Sequence, residues 1–324
     1  MRKPKYVIIG PMKEYLYIFN YPPYEEGLCK MEFKALFNDT YSKYYLTDKD
    51  INFYRSPFIR MRIDLLYKSD NIEDLFYYVE NNNLTYYGFK VIYLKNETCH
   101  VHYKESIEYC KKIALPINGS VNIHHPEVVI VLTKIYDLWL LGIQRINDQW
   151  DKHEDKPYTY SSSLPLKIAR SIVNIGVGND LNKTIVDPCC GIGTVVLEAL
   201  SMGLDIKGYD LSRDVSYQAR LNLDYYDYDP LLINRGNIHN INAHYDVCLL
   251  DIPYGLYSDI EEEEQYNIIR STYNICDTLV LVSMVSYNQL LETIGYEVVD
   301  QCQVGKKETM DMIRYITLCK RGTL

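Results

Sequence analysis

Short apolar runs, broken by polar turns, open the chain. Tyr6-Val7-Ile8-Ile9-Gly10 and Tyr15-Leu16-Tyr17-Ile18-Phe19 read as strands, rich in β-branched and aromatic residues. Leu28, Met31, Ala35 and Leu36 recur at helical spacing and predict a helix over Gly27 to Phe37. A strand over Arg60 to Leu66 and a helix over Ile72 to Glu80 follow. Strands are predicted over Gly88 to Tyr93 and Cys99 to Tyr103, a helix over Ser106 to Ile113, and a closing hairpin from Val128 to Lys134 and Leu138 to Ile143. This mixed order predicts an α+β domain over residues 1–147. Asn147 to Lys156 is polar and charged, so 148–156 reads as a linker. From 157 onward the pattern changes to fully apolar strands alternating with helices, the order of a Rossmann-like α/β sheet over 157–324. Tyr266 to Cys276 is a helix, Thr278 to Met284 a buried strand and Tyr287 to Ile294 a helix. Tyr296 to Val299 and Met312 to Leu318 then make two strands with no helix between them. The chain shows no internal repeat and no long low-complexity tract.

One loop in the second half carries chemistry. Ile185-Val186-Asp187-Pro188-Cys189-Cys190-Gly191-Ile192-Gly193-Thr194 is a strand, a tight turn and the start of a helix. Gly191 and Gly193 permit a sharp turn and a close approach of ligand to backbone. The helix starting near Thr194 directs free N–H groups at that ligand. Asp210 ends the next strand, Ile206 to Asp210, about 20 residues past the glycines, where an acid accepts from ribose hydroxyls. No Gly-Lys-Ser/Thr follows, so this is not a phosphate-gripping loop, and Val196 stands where a dinucleotide site has its third glycine. Asp187 would repel a pyrophosphate but accept from an ammonium. Adenosine joined to a zwitterionic amino acid, S-adenosylmethionine, fits these constraints. A plain glycine turn between strand and helix is the alternative that Gly-x-Gly alone leaves open.

A second motif bears on that choice. The apolar run Tyr245 to Leu250 ends in Asp251-Ile252-Pro253-Tyr254-Gly255. This is similar to the Asp-Pro-Pro-Tyr or Asn-Pro-Pro-Tyr signature of methyltransferases that act on exocyclic amines of bases. From Lys156 to Ser258 the chain resembles the tRNA guanine-N2-methyltransferases of archaea and eukaryotes. Tyr160-Ser161-Ser162-Ser163-Leu164-Pro165, Ala169-Arg170 and Val173-Asn174-Ile175 match the segment that family carries before its glycine loop. The resemblance implies a Rossmann-like seven-stranded methyltransferase sheet ending in a hairpin with one antiparallel strand. It also implies a cofactor site made of Ser162, Leu164, Asp187, Pro188, Cys189, Gly191, Gly193, Thr194, Asp210, Leu211, Asn237 and Ile238, and a catalytic set of Asp251, Ile252, Pro253 and Tyr254. The α+β order of 1–147 resembles, more loosely, the THUMP-type RNA-docking domain with its ferredoxin-like neighbour.

The chemistry explains the residue types. The lone pair of an aromatic amine is conjugated with its ring. Two acceptors on its two hydrogens, the Asp251 carboxylate and the Ile252 carbonyl, draw the nitrogen towards sp³. Tyr254 offers a face on which a flipped-out base stacks, a contact worth about 1–3 kcal/mol. Positioning supplies much of the rate, and no strong base is needed. Two departures stand out. Ile252 occupies the place of the usual Pro, which costs the loop ring rigidity of about 0.4–1 kcal/mol, although Pro253 still biases it to an extended shape. Asn237 stands where the family often has Asp to accept from the adenine amino group; its side-chain oxygen also accepts.

Composition sets outer limits. A chain of 324 residues accommodates two domains. No run approaches 18 apolar residues and Met1-Arg2-Lys3-Pro4-Lys5 leads into no apolar signal core, so a soluble, cytoplasmic protein is expected. Nine cysteines without a Cys-x-x-Cys pair point to reduced thiols and no structural metal. Cys189-Cys190, adjacent in a crowded loop, suits packing better than ligation. His100 and His102, and His124-His125, lack a third ligand. Glu261 to Glu264 suits a helix start. The net charge of −9 is awkward for an RNA partner. Residues 1–160 hold about as many bases as acids, so the excess acid lies in the second half. Arg55, Arg60 and Arg62, with Lys90, Lys95, Lys104, Lys111 and Lys112, are candidates for a basic face. The 33 tyrosines, beside frequent Asn, Ile and Lys, reflect an A/T-rich coding bias more than a stacking surface. The expected activity is S-adenosylmethionine-dependent methylation of a guanine N2 amine in tRNA. A DNA or other base N-methyltransferase and a non-catalytic RNA-binding or cofactor-sensing protein are the alternatives.

Overall fold

The computed structural model describes residues 13–160, 163–253, 261–305 and 313–322. The predicted strand at Tyr6–Gly10 and the site residues Ser162 and Tyr254 lie outside them. In chain order the elements are β1 (Tyr15–Phe19), α1 (Glu26–Phe37), β2 (Tyr44–Thr47), β3 (Ile59–Ser69), α2 (Ile72–Asn81), β4 (Thr85–Tyr93), α3 (Tyr103–Ala114), β5 (Asn118–Val121), β6 (Val128–Ile135) and β7 (Leu138–Ile146). They continue with α4 (Leu166–Val177), β8 (Thr184–Asp187), α5 (Thr194–Ser201), β9 (Asp205–Asp210), α6 (Arg213–Tyr225), β10 (Ile233–Arg235), β11 (Tyr245–Asp251), α7 (Glu262–Ile275), β12 (Cys276–Ser283), α8 (Asn288–Ile294), β13 (Tyr296–Val304) and β14 (Arg314–Arg321).

Two compact units result. The first comprises residues up to Asn20, Ser42–Phe53 and Ile59–Asn147; the second comprises Tyr21–Tyr41, Tyr54–Phe58 and Asp148 onward. In the first, seven strands form one sheet in the order β2-β1-β3-β7-β6-β4-β5. Alternation along β6 divides its core: Ile130 and Leu132 pack with Leu75, Phe76 and Val79 of α2 and Ile113 of α3, whereas Val131 packs with Leu16, Ile63 and Leu140 on the other face. Cys99 to Tyr103, expected as a strand, is irregular chain leading into α3. Glu105 reaches back to the His102 N–H there, so the segment serves as the start of a helix.

The second unit is a seven-stranded α/β sheet in the order β10-β9-β8-β11-β12-β14-β13. β8 pairs in parallel with β9 on one side and β11 on the other, and β14 alone runs antiparallel to β12 and β13. The strand order therefore reverses at β8, where a crevice must open at the carboxyl ends of β8 and β11. No helix among the described residues is long and apolar enough to cross a membrane.

Helix α4 is buried along almost its whole length, polar residues included. Arg170 donates to Glu198 of α5, to Ser201 Oγ at 3.0 Å and to the Tyr54 carbonyl at 2.6 Å. Asn174, one turn on, donates to Glu32 Oε1 of α1 at 2.7 Å and to the Arg55 carbonyl at 3.0 Å. These bonds hold α1 and residues 54–58 in the second unit. Arg55, expected on a basic face, is 4% exposed and donates to the Gly178 carbonyl. Arg62 pairs with Asp50 and Asp64. Arg55 and Arg62 therefore do not belong to a free basic face, whereas Arg60 is exposed. The expected linker is packed as well: His153 is buried with its Nδ1 2.7 Å from Glu198 Oε1, and Tyr226 donates to the Lys152 carbonyl. Most of its polar side chains are exposed, and His153 is the buried exception, held by a partner the sequence does not place.

Burial pushes the Glu32 carboxyl up to about 7, against the opposing pull of its bonds to Ser56 and Asn174. The folded chain thus holds that proton more tightly than the unfolded one. Stability from this group is complete below the ordinary carboxylate range and is lost as pH rises towards 7. Glu32→Gln should remove this component. Urea titrations should show wild-type stability falling relative to the variant by on the order of 3 kcal/mol between about pH 4 and pH 8.

Candidate active site

The glycine loop leaves β8 at Asp187 and enters α5 at Thr194. Gly191 and Gly193 have φ of 53° and 83°, in the left-handed region that the turn requires. A Cβ added at Gly191 would meet nothing within 4 Å, so the loop is open on that side. The loop is fixed from three directions. Gly191 N–H donates to Asp210 Oδ2 at 3.0 Å, and Cys190 N–H donates to the Tyr209 carbonyl at 2.8 Å. Asn222 of α6, fully buried, donates to the Ile192 and Tyr158 carbonyls at 3.0 Å each and accepts from Tyr158 N–H at 2.9 Å. Sequence reasoning missed Asn222, because a lone Asn mid-helix has no signature. Gly208, also missed, is crowded: a Cβ there would stand 2.7 Å from Ile233, 3.0 Å from Val196 and 3.1 Å from Cys190 Sγ.

A cleft of about 120 Å³ opens beside the loop, lined among others by Leu164, Asp187, Cys189, Gly191, Thr194 and Asp251. Asp187 closes β8 and Asp251 closes β11, so parallel pairing brings both carboxylates to one end of the sheet. Asp210, Leu211, Asn237 and Ile238 gather at the ends of β9 and β10, beyond that lining, and Gly191 ties the two groups together through Asp210. Pro188 is buried in the turn. Gly193 is the residue before α5, and Leu211 is 67% exposed. Asn237 already caps a short helix through the His239 N–H at 3.1 Å, leaving one lone pair on its oxygen for a further donor. Asp210 accepts one backbone N–H on each oxygen, from Gly191 and Ser212, and likewise retains one lone pair on each. Its role in shaping the loop is thus added to the one expected from spacing.

Electrostatics define the ligand. Asp187 is 3% exposed, and burial pushes its carboxyl well up, with Asp251 and Asp210 adding repulsion. Burial also raises Asp210. The described lining holds no Lys or Arg. A cation placed beside Asp187 restores its ionised form; an anion is repelled. Burial raises the Cys189 and Cys190 thiols well above their ordinary range, as for packing residues. The Thr194 hydroxyl is buried without a partner, a polar group placed for a ligand in the cleft. These features fit S-adenosylmethionine, which brings both an ammonium and a sulfonium.

In the chain leaving β11, Ile252 is buried and its N–H donates to the Val282 carbonyl of β12 at 3.1 Å. A proline there could not make this bond, so a ladder bond offsets the missing ring. The Pro253 carbonyl accepts from Gln265 Nε2 of α7. His100 and His102 are in edge contact in the first unit, and no three potential metal ligands come together among the described residues.

Residues 154–292 match the family described as UPF0020, the RMKL-like methyltransferase domain. The chain is 28% identical over 196 residues to the tRNA (guanine(10)-N2)-dimethyltransferase of Pyrococcus abyssi, covering 55% of this chain and 58% of that protein. It is 28% identical over 117 residues to the enzyme of the same description from Methanothermobacter thermautotrophicus, covering 36% and 34%. The chain thus spans less than two thirds of the length of these curated relatives. Among solved structures it is similar to TrmN from Thermus thermophilus, at 13% identity and a TM-score of 0.48, covering 95% of this chain and 99% of that one.

Asn222→Asp tests the loop's anchoring. The carboxylate keeps the shape but cannot donate to the two carbonyls. Stability in urea should fall by about 2–4 kcal/mol, with the loop amides of residues 190–193 exchanging faster.

Proposed function

We propose that the second unit transfers a methyl group from S-adenosylmethionine to an exocyclic base amine, the guanine N2 of a tRNA, and that the first unit docks the RNA as a THUMP-type module. The observation that carries this reading is that Asp251 and the glycine loop line one cleft, with two carboxylates, Asp187 and Asp251, and no basic side chain in the described lining. The family match to residues 154–292 and the names of the curated relatives support it.

When bound, the cofactor supplies an electrophilic methyl on sulfur. Asp187 and Thr194 hold its amino-acid end, Asp210 takes the ribose hydroxyls, and Leu211, Asn237 and Ile238 take the adenine. Asp251 accepts from one hydrogen of the target amine and the Ile252 carbonyl from the other. Together these two acceptors would orient the amine's lone pair for transfer, and the proton of the methylated amine would leave to water. Tyr254 serves as the stacking face for the flipped base. The exclusion of phosphate from the cleft keeps the RNA backbone on the rim. The cytoplasm is the compartment in which this reading places the protein.

A tritiated methyl-transfer assay on total tRNA, genomic DNA and free nucleosides separates the readings. Incorporation into tRNA guanine is expected. Incorporation into DNA alone would install the DNA base enzyme, and none at all with intact cofactor binding would install the cofactor sensor. Asp251→Ala should abolish transfer and leave calorimetric cofactor affinity within a few fold. Asp210→Ala should cost cofactor affinity on the order of 2–3 kcal/mol.

Separating the units by cutting at 157 would remove α1 and residues 54–58 from the second unit, so docking is better tested by substitution. Lys95 and Lys104 are exposed in the first unit, Lys95 lying 5.6 Å from the Tyr103 ring centre. Lys95→Glu with Lys104→Glu should weaken tRNA binding and reduce the slope of log affinity against log salt by about 1–2, with cofactor affinity unchanged. An unaltered slope would remove this face from the docking surface.

A further inference from the structure

The chain leaving β11 is held at two points by groups that the methyl-transfer reading does not use. Ile252 N–H is bound to the Val282 carbonyl of β12 at 3.1 Å. The Pro253 carbonyl accepts from Gln265 Nε2 at 2.9 Å, and Gln265 Oε1 accepts from the Tyr287 hydroxyl at 2.7 Å. A carbonyl oxygen only accepts, so the Gln265 NH₂ must face Pro253 and its oxygen must face Tyr287. Tyr287 is 7% exposed and packs in the same apolar cluster as Ile252, against α7 and β12. Its ring also makes an edge contact with Tyr266 at 5.9 Å. The amide of Gln265 is thus oriented by a hydroxyl that is itself fixed in the core.

The geometry has a consequence for the peptide between the two points. The Asp251–Ile252 peptide is fixed through its N–H, and the peptide following Pro253 is fixed through its C=O. Between them lies the Ile252–Pro253 peptide, whose carbonyl is the second acceptor in the proposed chemistry. The proline ring fixes one of the remaining torsions near −65°. We propose that Gln265, oriented by Tyr287, is a positioning residue that sets the Ile252 carbonyl for the target amine, replacing the stiffness that a proline at 252 would give. This inference rests on the amine-methylation reading of the same loop. It adds to that reading a residue in the first turn of α7 and a clamp built from both neighbouring elements.

The test uses the full chain with three substitutions and two readouts. Gln265→Leu removes the donor. Its kcat should fall on the order of 10²-fold, as expected for misplacement of a reacting group, with calorimetric cofactor affinity within about threefold of wild type. Tyr287→Phe frees the amide to rotate and should cost a smaller, several-fold part of kcat. Gln265→Glu is isosteric, but ionised it offers the Pro253 carbonyl no donor, and protonated it regains one. The ratio of wild-type to Gln265→Glu kcat should therefore shrink as the pH is lowered, a response that a packing role would not give. Wild-type kcat in Gln265→Leu, or a ratio independent of pH, overturns the proposal. Hydrogen exchange at the Ile252 amide provides the second readout, independent of activity. It should be faster in Gln265→Leu, because releasing one end of the clamp loosens the other. If wild type transfers no methyl group but Ile252 exchange accelerates in the variant, the methyl-transfer reading fails and the clamp stands. If wild type is active and neither kcat nor exchange changes in the variant, the clamp fails and the methyl-transfer reading stands.

Discussion

The second unit is held together by the polar side of a buried helix. Arg170 and Asn174, one turn apart on α4, reach α5, α1 and the carbonyls of Tyr54 and Arg55. A buried charge without a partner is costly to fold, by about 3–5 kcal/mol when one member of a pair is removed. Arg170 and Glu198 therefore have to be assembled together, and with them the segments from the first sixty residues. Glu198 lies in α5, the helix that the glycine loop enters. The network thus anchors the helix into which the loop runs, while Asp210, Tyr209 and Asn222 hold the loop itself.

Upon that frame sits a site defined by charge. Three aspartates, each at the carboxyl end of a different parallel strand, converge near one loop, and the described cleft offers no cation. Parallel pairing and the reversal of strand order at β8 make this convergence unavoidable once the aspartates are last in their strands. Such a site repels phosphate and selects a ligand that brings its own positive charge.

The chain leaving β11 shows how the absence of a proline at 252 is absorbed. Ile252 lacks a ring but has an N–H, and the N–H extends the β11–β12 ladder by one residue. Gln265 and Tyr287 hold the next carbonyl. Stiffness that would come from covalent geometry at one position comes here from three side and main chains on neighbouring elements.

Legible in the sequence alone were the α/β class of the second half, the strand–loop–helix at Asp187 to Thr194, and the positions of Asp210 and Asp251 at the ends of their strands. Each is a local pattern: apolar runs, glycines where φ must be positive, acids at strand ends. It also showed the mixed α+β order of the first half, though Cys99 to Tyr103 misled because alternation over five residues is weak evidence for a strand. What only the tertiary structure decided is where polar residues face. Asn222, Gln265, His153 and Arg55 are ordinary polar letters in the sequence, and each proves to be a buried or half-buried hydrogen-bonding group whose partners lie 10 or more residues away. A polar side chain reads as solvated until its partner is known. The partner is set by the packing of elements distant in the chain, so no local pattern carries it.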